Sequence, residues 1–502
     1  MFYPKKYIIA CTERFVGMGA IVAVVNKNGG NVAETAVAML KVLKHKGVEA
    51  FGVASPTIVK IEKSIESLQN PEITSSVAVG HVFSKILMSD KPQPIKMEDA
   101  TLVFERRIYQ PNVPPSDAEF AAEKLKHFRE GNAEALIKNF EGNFAFAVAE
   151  SKRIIAGRDS LGVYPFYCGE NADLAALASE RKVLWKIGIK RVYSFPPGHV
   201  AVVDKYGFKF KPVKTLTYLR TRQTPMRTAA KKLQRLLEES VKERVSGLRE
   251  VAVAFSGGLD SSIIAFLAKN LGVDVHLICV SLKNRSEIEF VKEAADALKL
   301  PLHVHFYDEK DVEEVIPEVL RIIEEPDPIK TSIGVPVFWT AEKIAEMGFR
   351  VMLAGQGADE LFGGYKRYLN DYSQHGKEFV QKTIFNDITR MHETNFERDS
   401  KICSFHNVEL RLPFATYQLA KFAVGLPLQL KIESPDDMLR KVVLRKMGEN
   451  IGLPHFIVNK PKKAIQYTTG VNKVVKRLAK QEGLAMKEYL QKVFQKIFKG
   501  IV

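Results

Sequence analysis

Seven consecutive residues, Ser256-Gly257-Gly258-Leu259-Asp260-Ser261-Ser262, combine small size, hydroxyls and one carboxylate. They follow an apolar strand-like run (250–255, EVAVAF) and open a helical one (261–271). Small residues let backbone N–H groups curl around an anion, and the start of a helix adds the positive end of its dipole. The hydroxyls of Ser256, Ser261 and Ser262 can donate to phosphate oxygens. A carboxylate would repel phosphate, so Asp260 makes sense there as a Mg²⁺ ligand. No GK[ST] follows, so this is not a Walker loop.

A second stretch of the same kind follows an apolar run at 350–354: Gly355-Gln356-Gly357-Ala358-Asp359-Glu360. Ligands of a doubly wound sheet collect at the carboxyl ends of strands, beside the switch in strand order. Both loops belong there. Asp260 and Asp359 are therefore expected to share one Mg²⁺ over the pyrophosphate of a nucleotide, with Gly355 in the same cradle.

The elements around these loops set the fold class. From 229 the pattern alternates: a helix carrying Leu233, Leu236, Leu237 and Val241, a strand at 250–255, a helix at 261–271, a strand at 275–281 and a helix at 286–299. A strand at 302–306, helices at 311–324 and 335–347 and a strand at 350–354 follow. Strands separated by helices of this length imply a parallel, doubly wound α/β sheet. After 370 the chain reads as mostly helical. The first 205 residues are a β-rich α+β unit, with strand-like runs at 19–25, 50–54, 76–79, 142–149, 153–157, 164–168 and 199–203 and a helix over 31–45. Residues 206–228 are polar and basic with no clear period, and the domain boundary is placed there. Two domains are expected, at 16–205 and 225–480.

Composition excludes several classes. Of the 502 residues 46% are apolar and 26% charged, ordinary for a soluble globular protein. The excess of 74 Lys+Arg over 58 Asp+Glu is +16, which suits a phosphate-rich ligand or a nucleic acid. The basic residues are spread along the chain, so nucleic acid is the lesser expectation. Four cysteines, at 11, 168, 279 and 403, show neither metal spacing nor a disulfide framework, which fits a reducing cytoplasm. No apolar run is long enough for a membrane span. The apolar stretch before Cys11 is too short for an export signal. The tail 484–502 sets Leu490, Val493, Phe494, Ile497, Phe498 and Ile501 on one face. Such a face could lie on a membrane or grip a partner; more often it caps its own domain.

The loop SGGLDSS resembles the pyrophosphate-binding loop of PP-loop ATP pyrophosphatases. With GQGADELFGGY it resembles the synthetase domain of the glutamine-hydrolysing asparagine synthetase family, over about residues 17 to 470. Asn407 to Phe414 is similar to that family's VE-x-R-x-PF segment, and Pro461-Lys462-Lys463-Ala464 to its lysine-bearing loop. Ala156 to Gly162, Pro165-Phe166-Tyr167, Ala178-Ser179-Glu180 and Pro196 to His199 are similar to its amidotransferase domain. The resemblance implies an N-terminal Ntn-hydrolase-like domain ahead of the PP-loop domain. It implies ATP and Mg²⁺: Ser256 to Ser262 and Gly355 would grip the nucleotide, Asp260 and Asp359 the metal. Lys462 would stabilise the leaving charge, and Arg411 and Gln356 join it as candidate catalytic residues. A carboxylate would attack the α-phosphate of ATP to give an acyl-adenylate, which ammonia converts to an amide.

The sequence departs from that pattern in three places. Gln356 stands where the family commonly has a glutamate, and an amide cannot act as a base. The stretch 325–336, EPDPIKTSIGVP, lacks the arginine-bearing TTIRAS pattern, which leaves the acceptor open between aspartate and another carboxylate. The amidotransferase domain has Gly17-Met18-Gly19-Ala20-Ile21 where a nucleophilic cysteine should precede the first strand, Phe83 in place of the glutamine-anchoring arginine, and Glu105-Arg106 in place of the Asn-Gly of the oxyanion site. Freeing Cys11 by cleavage would not help, since Thr12-Glu13-Arg14 rather than the strand follows it. The expectation is an amide-forming ligase fed by free ammonia or a separate glutaminase. An adenylating enzyme acting on tRNA or another metabolite, and a nucleotide-binding regulatory protein, are the alternatives; a homo-oligomer is left open.

Overall fold

The computed structural model describes residues 18–47, 49–69, 72–109, 116–126, 130–218, 221, 223–283, 286–462 and 465–501. Cys11, Gly17, Lys463 and Ala464 lie outside the described residues. The chain forms two compact units. One comprises the chain up to Thr215 with Ser400–Glu409 and the residues from Val493 on; the other comprises Leu216–Asp399 and Leu410–Lys492.

The first unit holds two antiparallel sheets. One contains β1 (Ala20–Asn26), β2 (Ala50–Ala54), β3 (Val59–Glu62), β4 (Val77–Phe83), β9 (Tyr167–Glu170), β10 (Leu174–Ala178) and β11 (Val192–Ser194). The other contains β5 (Ile95–Lys96), β6 (Thr101–Tyr109), β7 (Glu141–Ala149), β8 (Ile154–Arg158), β12 (His199–Asp204) and β13 (Gly207–Pro212). Side chains alternate across a strand, and β1 shows what that does here. Ala20, Val22 and Val24 pack beneath helix Ala33–Val42, whereas Ile21, Ala23 and Val25 meet Val103, Ala147 and Ala156 of the other sheet. The outer face of that sheet packs Phe104, Phe146 and Ile155 against helices Asp117–Lys124 and Glu130–Asn139. The result is a helix–sheet–sheet–helix sandwich, the layering of Ntn hydrolases. Strands covered on both faces read as unbroken apolar runs, which is why GAIVAVV lacks a polar alternation.

Several segments differ from the sequence reading, two of them in this unit for a clear local reason. The strand expected at 164–168 starts only at Tyr167. Before it, the buried Asp159 carboxylate accepts the N–H groups of Leu161 (3.0 Å) and Gly162 (2.7 Å), so the backbone turns there. Tyr164 and Phe166 still reach the core, but from a loop. The polar stretch after 206 contains strand β13, which alternates weakly because it is an edge with most residues exposed. The amphipathic tail is used within this unit: Phe494 and Phe498 meet Trp185 edge-on, at 6.4 and 5.4 Å between ring centres.

The second unit is built on β14 (Glu250–Ala254), β15 (Asp274–Leu282), β16 (Leu302–Tyr307), β17 (Val351–Leu353) and β18 (Glu409–Arg411), in the order β16-β15-β14-β17-β18. β14 runs parallel to both β15 and β17, and β15 to β16. The direction of strand succession reverses at β14. The loops after β14 and β17 therefore leave adjacent strands at the switch point, the place where such sheets bind ligands. The helix expected from 335 begins at Pro328. Proline suits the first turn of a helix, and Asp327 caps it by accepting the Lys330 N–H at 2.7 Å. Beyond 370 the unit is mostly helical, β18 excepted.

Candidate active site

Gly257 has φ +66, and its missing side chain faces Phe290 and Val291, so only glycine takes this turn without strain. Gly258 then caps helix Leu259–Asn270, whose first turn carries Asp260. Ser256 lies exposed on the loop, and its hydroxyl sits 3.4 Å from that of Ser261, which itself donates to the Gly258 carbonyl at 3.2 Å. Leu259 packs into the core, and Ser262 is fully buried. The Ser262 hydroxyl is buried and meets no hydrogen-bond partner among the described residues.

The second loop closes directly on the first. A Cβ on Gly355 would stand 2.9 Å from the Asp260 Cβ, closer than side chains approach. Gly357, at φ +94, then turns the chain into the short helix Ala358–Phe362 that presents Asp359. The Asp260 and Asp359 carboxylates meet on one ammonium group: Lys441 Nζ lies 2.7 Å from Asp260 Oδ2 and 2.5 Å from Asp359 Oδ1. Lys462 Nζ lies 2.8 Å from Asp359 Oδ2 and 3.7 Å from Asp260 Oδ2. Burial would push the Asp359 carboxyl up, but Lys441 and then Lys462 hold it well below the usual carboxylate range. The same two carboxylates raise the Lys462 ammonium against its burial.

The two lysines are placed by a single arginine. Arg445 Nε donates to the Arg440 carbonyl at 2.7 Å, and Nη2 to the carbonyls of Leu439 (2.5 Å) and Lys460 (3.1 Å). It thus ties together the turn before Lys441 and the loop before Lys462. Lys441 itself sits at φ 54, a strained backbone for a residue with a side chain. Neither Lys441 nor Arg445 stands out in the sequence, where they are two of 74 basic residues without a motif.

Gln356 follows Gly355 on the second loop and donates its Nε2 to Asp399 Oδ2 at 2.5 Å. Arg411, the third candidate, makes a contact at the end of a helix. Its guanidinium donates to the Arg244 carbonyl at 2.5 Å, at the end of helix Met226–Val245, where a cation meets the negative end of the dipole.

The charge pattern fits a metal–nucleotide ligand. Two carboxylates converge from separate loops onto one cation position, while the glycine loop and helix start offer N–H groups beside them. Among the described residues no trio of His, Cys, Asp or Glu is arranged to hold a metal ion alone. A pair of carboxylates suits Mg²⁺, which keeps waters and takes phosphate oxygens as its remaining ligands.

In the first unit the positions expected to hydrolyse glutamine carry different chemistry. Glu105 Oε2 receives His81 Nε2 at 2.8 Å, and lies so close to the start of β1 that a Cβ on Gly19 would stand 2.6 Å from it. Glu105 Oε1 pairs with Arg106 at 3.1 Å. Phe83 is buried. The thiols of Cys168, Cys279 and Cys403 are buried as well, and burial pushes those of Cys168 and Cys279 up to about 12. No described helix is long and apolar enough to cross a membrane.

The chain matches the asparagine synthase family model over residues 232–380 and 370–498, and a glutamine amidotransferase domain model over 86–186. A Methanocaldococcus jannaschii protein with the provisional name asparagine synthetase [glutamine-hydrolyzing] 1 is 28% identical, across 96% of this chain and 99% of its own. Asparagine synthetase [glutamine-hydrolyzing] 2 of Arabidopsis thaliana is 29% identical, across 70% of this chain and 62% of its own. Matching that family over more than half its length, with both loops at the switch point of a parallel sheet, the chain belongs to the asparagine synthase family and is an enzyme of the carbon–nitrogen ligase type.

Proposed function

We propose that the second domain, placed at residues 225–480, activates a small carboxylate with ATP and passes the acyl group to ammonia. Aspartate is the first candidate acceptor. The observation that supports this best is the meeting of Asp260 and Asp359, from the loops after β14 and β17, on the Lys441 ammonium. Asp260 and Asp359 would hold Mg²⁺, which when bound neutralises phosphate charge. The N–H groups of 256–262 and Gly355 wrap the pyrophosphate, and Lys462 offsets charge on the leaving oxygens. Electrostatic stabilisation of this kind is usually the largest catalytic contribution. A substrate carboxylate oxygen bonds the α-phosphorus while the bond from that phosphorus to the β-phosphate bridge breaks. Ammonia then bonds the acyl carbon, the bond from that carbon to the AMP oxygen breaks, and one proton is released.

The test is ATP–pyrophosphate exchange with a panel of carboxylates and with tRNA, followed by product analysis with ammonium. Asparagine and AMP from aspartate support the proposal. Exchange only with another carboxylate or with tRNA selects the alternative acceptor, which for tRNA the +16 charge favours slightly. Nucleotide binding without exchange selects a regulatory role. Full exchange in Asp260→Asn would overturn the site assignment.

The first domain, placed at residues 16–205, is proposed to be an amidotransferase-like platform without glutaminase activity. A carboxylate at 105 opposes the negative charge an oxyanion site must stabilise. Phe83 offers no charge to a substrate carboxylate. The nitrogen would come from free ammonia or a separate glutaminase, in the cytoplasm. Glutamate release from glutamine by the purified protein, blocked by a thiol-directed glutamine analogue, would refute this.

A further inference from the structure

The way Gln356 is held has a chemical consequence. Its loop is pinned at Gly355 against Asp260, and Asp359 follows three residues on, so the side chain lies beside the proposed nucleotide cradle. Gln356 Nε2 donates to Asp399 Oδ2 at 2.5 Å. Asp399 is 1% exposed and is clamped from its other side by Arg398, whose Nε reaches Oδ1 at 2.7 Å and Nη2 reaches Oδ2 at 2.9 Å. Arg398 is held in turn by the Thr394 carbonyl at 3.2 Å.

An amide has a donating end and an accepting end, whereas an ionised carboxylate only accepts. Asp399 therefore decides which way the amide faces, with its amino end turned inward. Gln356 is half-buried, and no described residue donates to its carbonyl oxygen Oε1. A fixed, unused acceptor beside an acyl-transfer site suits a nucleophile that carries N–H groups.

We infer that Asp399 is a positioning residue that turns Gln356 Oε1 into an acceptor for an N–H of the incoming ammonia. The inference rests on the amide-forming reading above. Gln356 orients the nitrogen but takes no proton, because an amide oxygen is far too weak a base. The proton released as the C–N bond forms leaves with the AMP phosphate or with water. The arrangement also accounts for an amide at 356. A glutamate there would set a second carboxylate directly against buried Asp399 with only Arg398 to offset the pair, which disfavours ionisation of both.

The test measures amide formation with ammonium chloride, alongside ATP–pyrophosphate exchange without ammonium. Gln356→Met should raise the KM for ammonium about five- to tenfold, the scale of one lost hydrogen bond, and move the KM for ATP far less. Gln356→Glu should lose at least as much. Adding Asp399→Asn to Gln356→Glu restores a donor opposite a carboxylate and should regain most of the loss. The inference is overturned if Gln356→Glu matches the wild type, if the double variant is no better than Gln356→Glu, or if both KM values rise together. Should the Asp399 change prevent folding, judged by thermal melting, the two single Gln356 variants still decide. Exchange without any ammonium effect in these variants sinks this inference alone; absence of exchange in the wild type removes the amide-forming reading and this inference with it.

Discussion

Replacing Lys441 by methionine keeps most of the side-chain volume and removes the charge that lies closest to both carboxylates. Its side chain is 2% exposed, and those of Asp260 and Asp359 are 14% and 16% exposed, so solvent can do little to compensate. Removing one partner of a buried ion pair costs about 3–5 kcal/mol. Lys462 remains, 2.8 Å from Asp359 but 3.7 Å from Asp260, and offsets part of that. The expected loss is about 2–3 kcal/mol, which for a domain of this size lowers the melting temperature by roughly 5–10 °C. The pH dependence has a definite sign. Asp359 is held below its unfolded value, so its contribution is present above about pH 4 and is lost as the pH falls through the lower folded value. Taking Lys441 away raises that folded value, so the deficit of the variant is largest at neutral pH and shrinks on acidification. Mg²⁺ with ATP should also raise the melting temperature of the variant more than that of the wild type, because it supplies the missing positive charge. Calorimetry at several pH values, with and without Mg²⁺ and ATP, measures all three effects. A neutral-pH melting temperature unchanged in Lys441→Met, or a deficit that grows with acid, would refute the reasoning.

Two further substitutions test the surroundings of the site. Gly355→Ala introduces a Cβ 2.9 Å from the Asp260 Cβ, so one loop must move away from the other. ATP–pyrophosphate exchange should fall by about tenfold or more while the melting temperature changes little, since a displacement of this size disturbs catalytic alignment before it disturbs packing; unchanged exchange would mean that the loops do not act together. Lys431 is fully buried without a described partner, and burial pushes its ammonium down to about 7. The unfolded chain binds the extra proton between about pH 7 and 10, so stability should rise with pH across that window. Lys431→Met should abolish the rise and stabilise the protein by on the order of 2 kcal/mol at pH 7, as read by denaturant unfolding. A destabilised variant with the rise intact would contradict this.

Much of this protein is legible from local rules. The run EVAVAF ahead of SGGLDSS can only be a buried strand entering a glycine turn and a helix, because apolar continuity, small residues and helix start coincide within a dozen positions. The same logic places Asp359 after β17, and the switch-point rule puts its loop beside that of Asp260. Local rules fail where an edge such as β13 is too solvated to show a strand pattern. They fail again at the cluster itself. Lys441 stands 181 residues from Asp260, Asp399 stands 43 from Gln356, and Arg445 binds four carbonyls that no motif predicts. The sequence by itself determined which residues could bind phosphate and metal, because that depends on side-chain chemistry and on the turn each residue permits. Only the tertiary structure decided which charges neutralise one another and which end of the Gln356 amide meets Asp399, because Coulomb and hydrogen-bond energies depend on separation in space and on burial, and neither is encoded at the position of the residue that feels them.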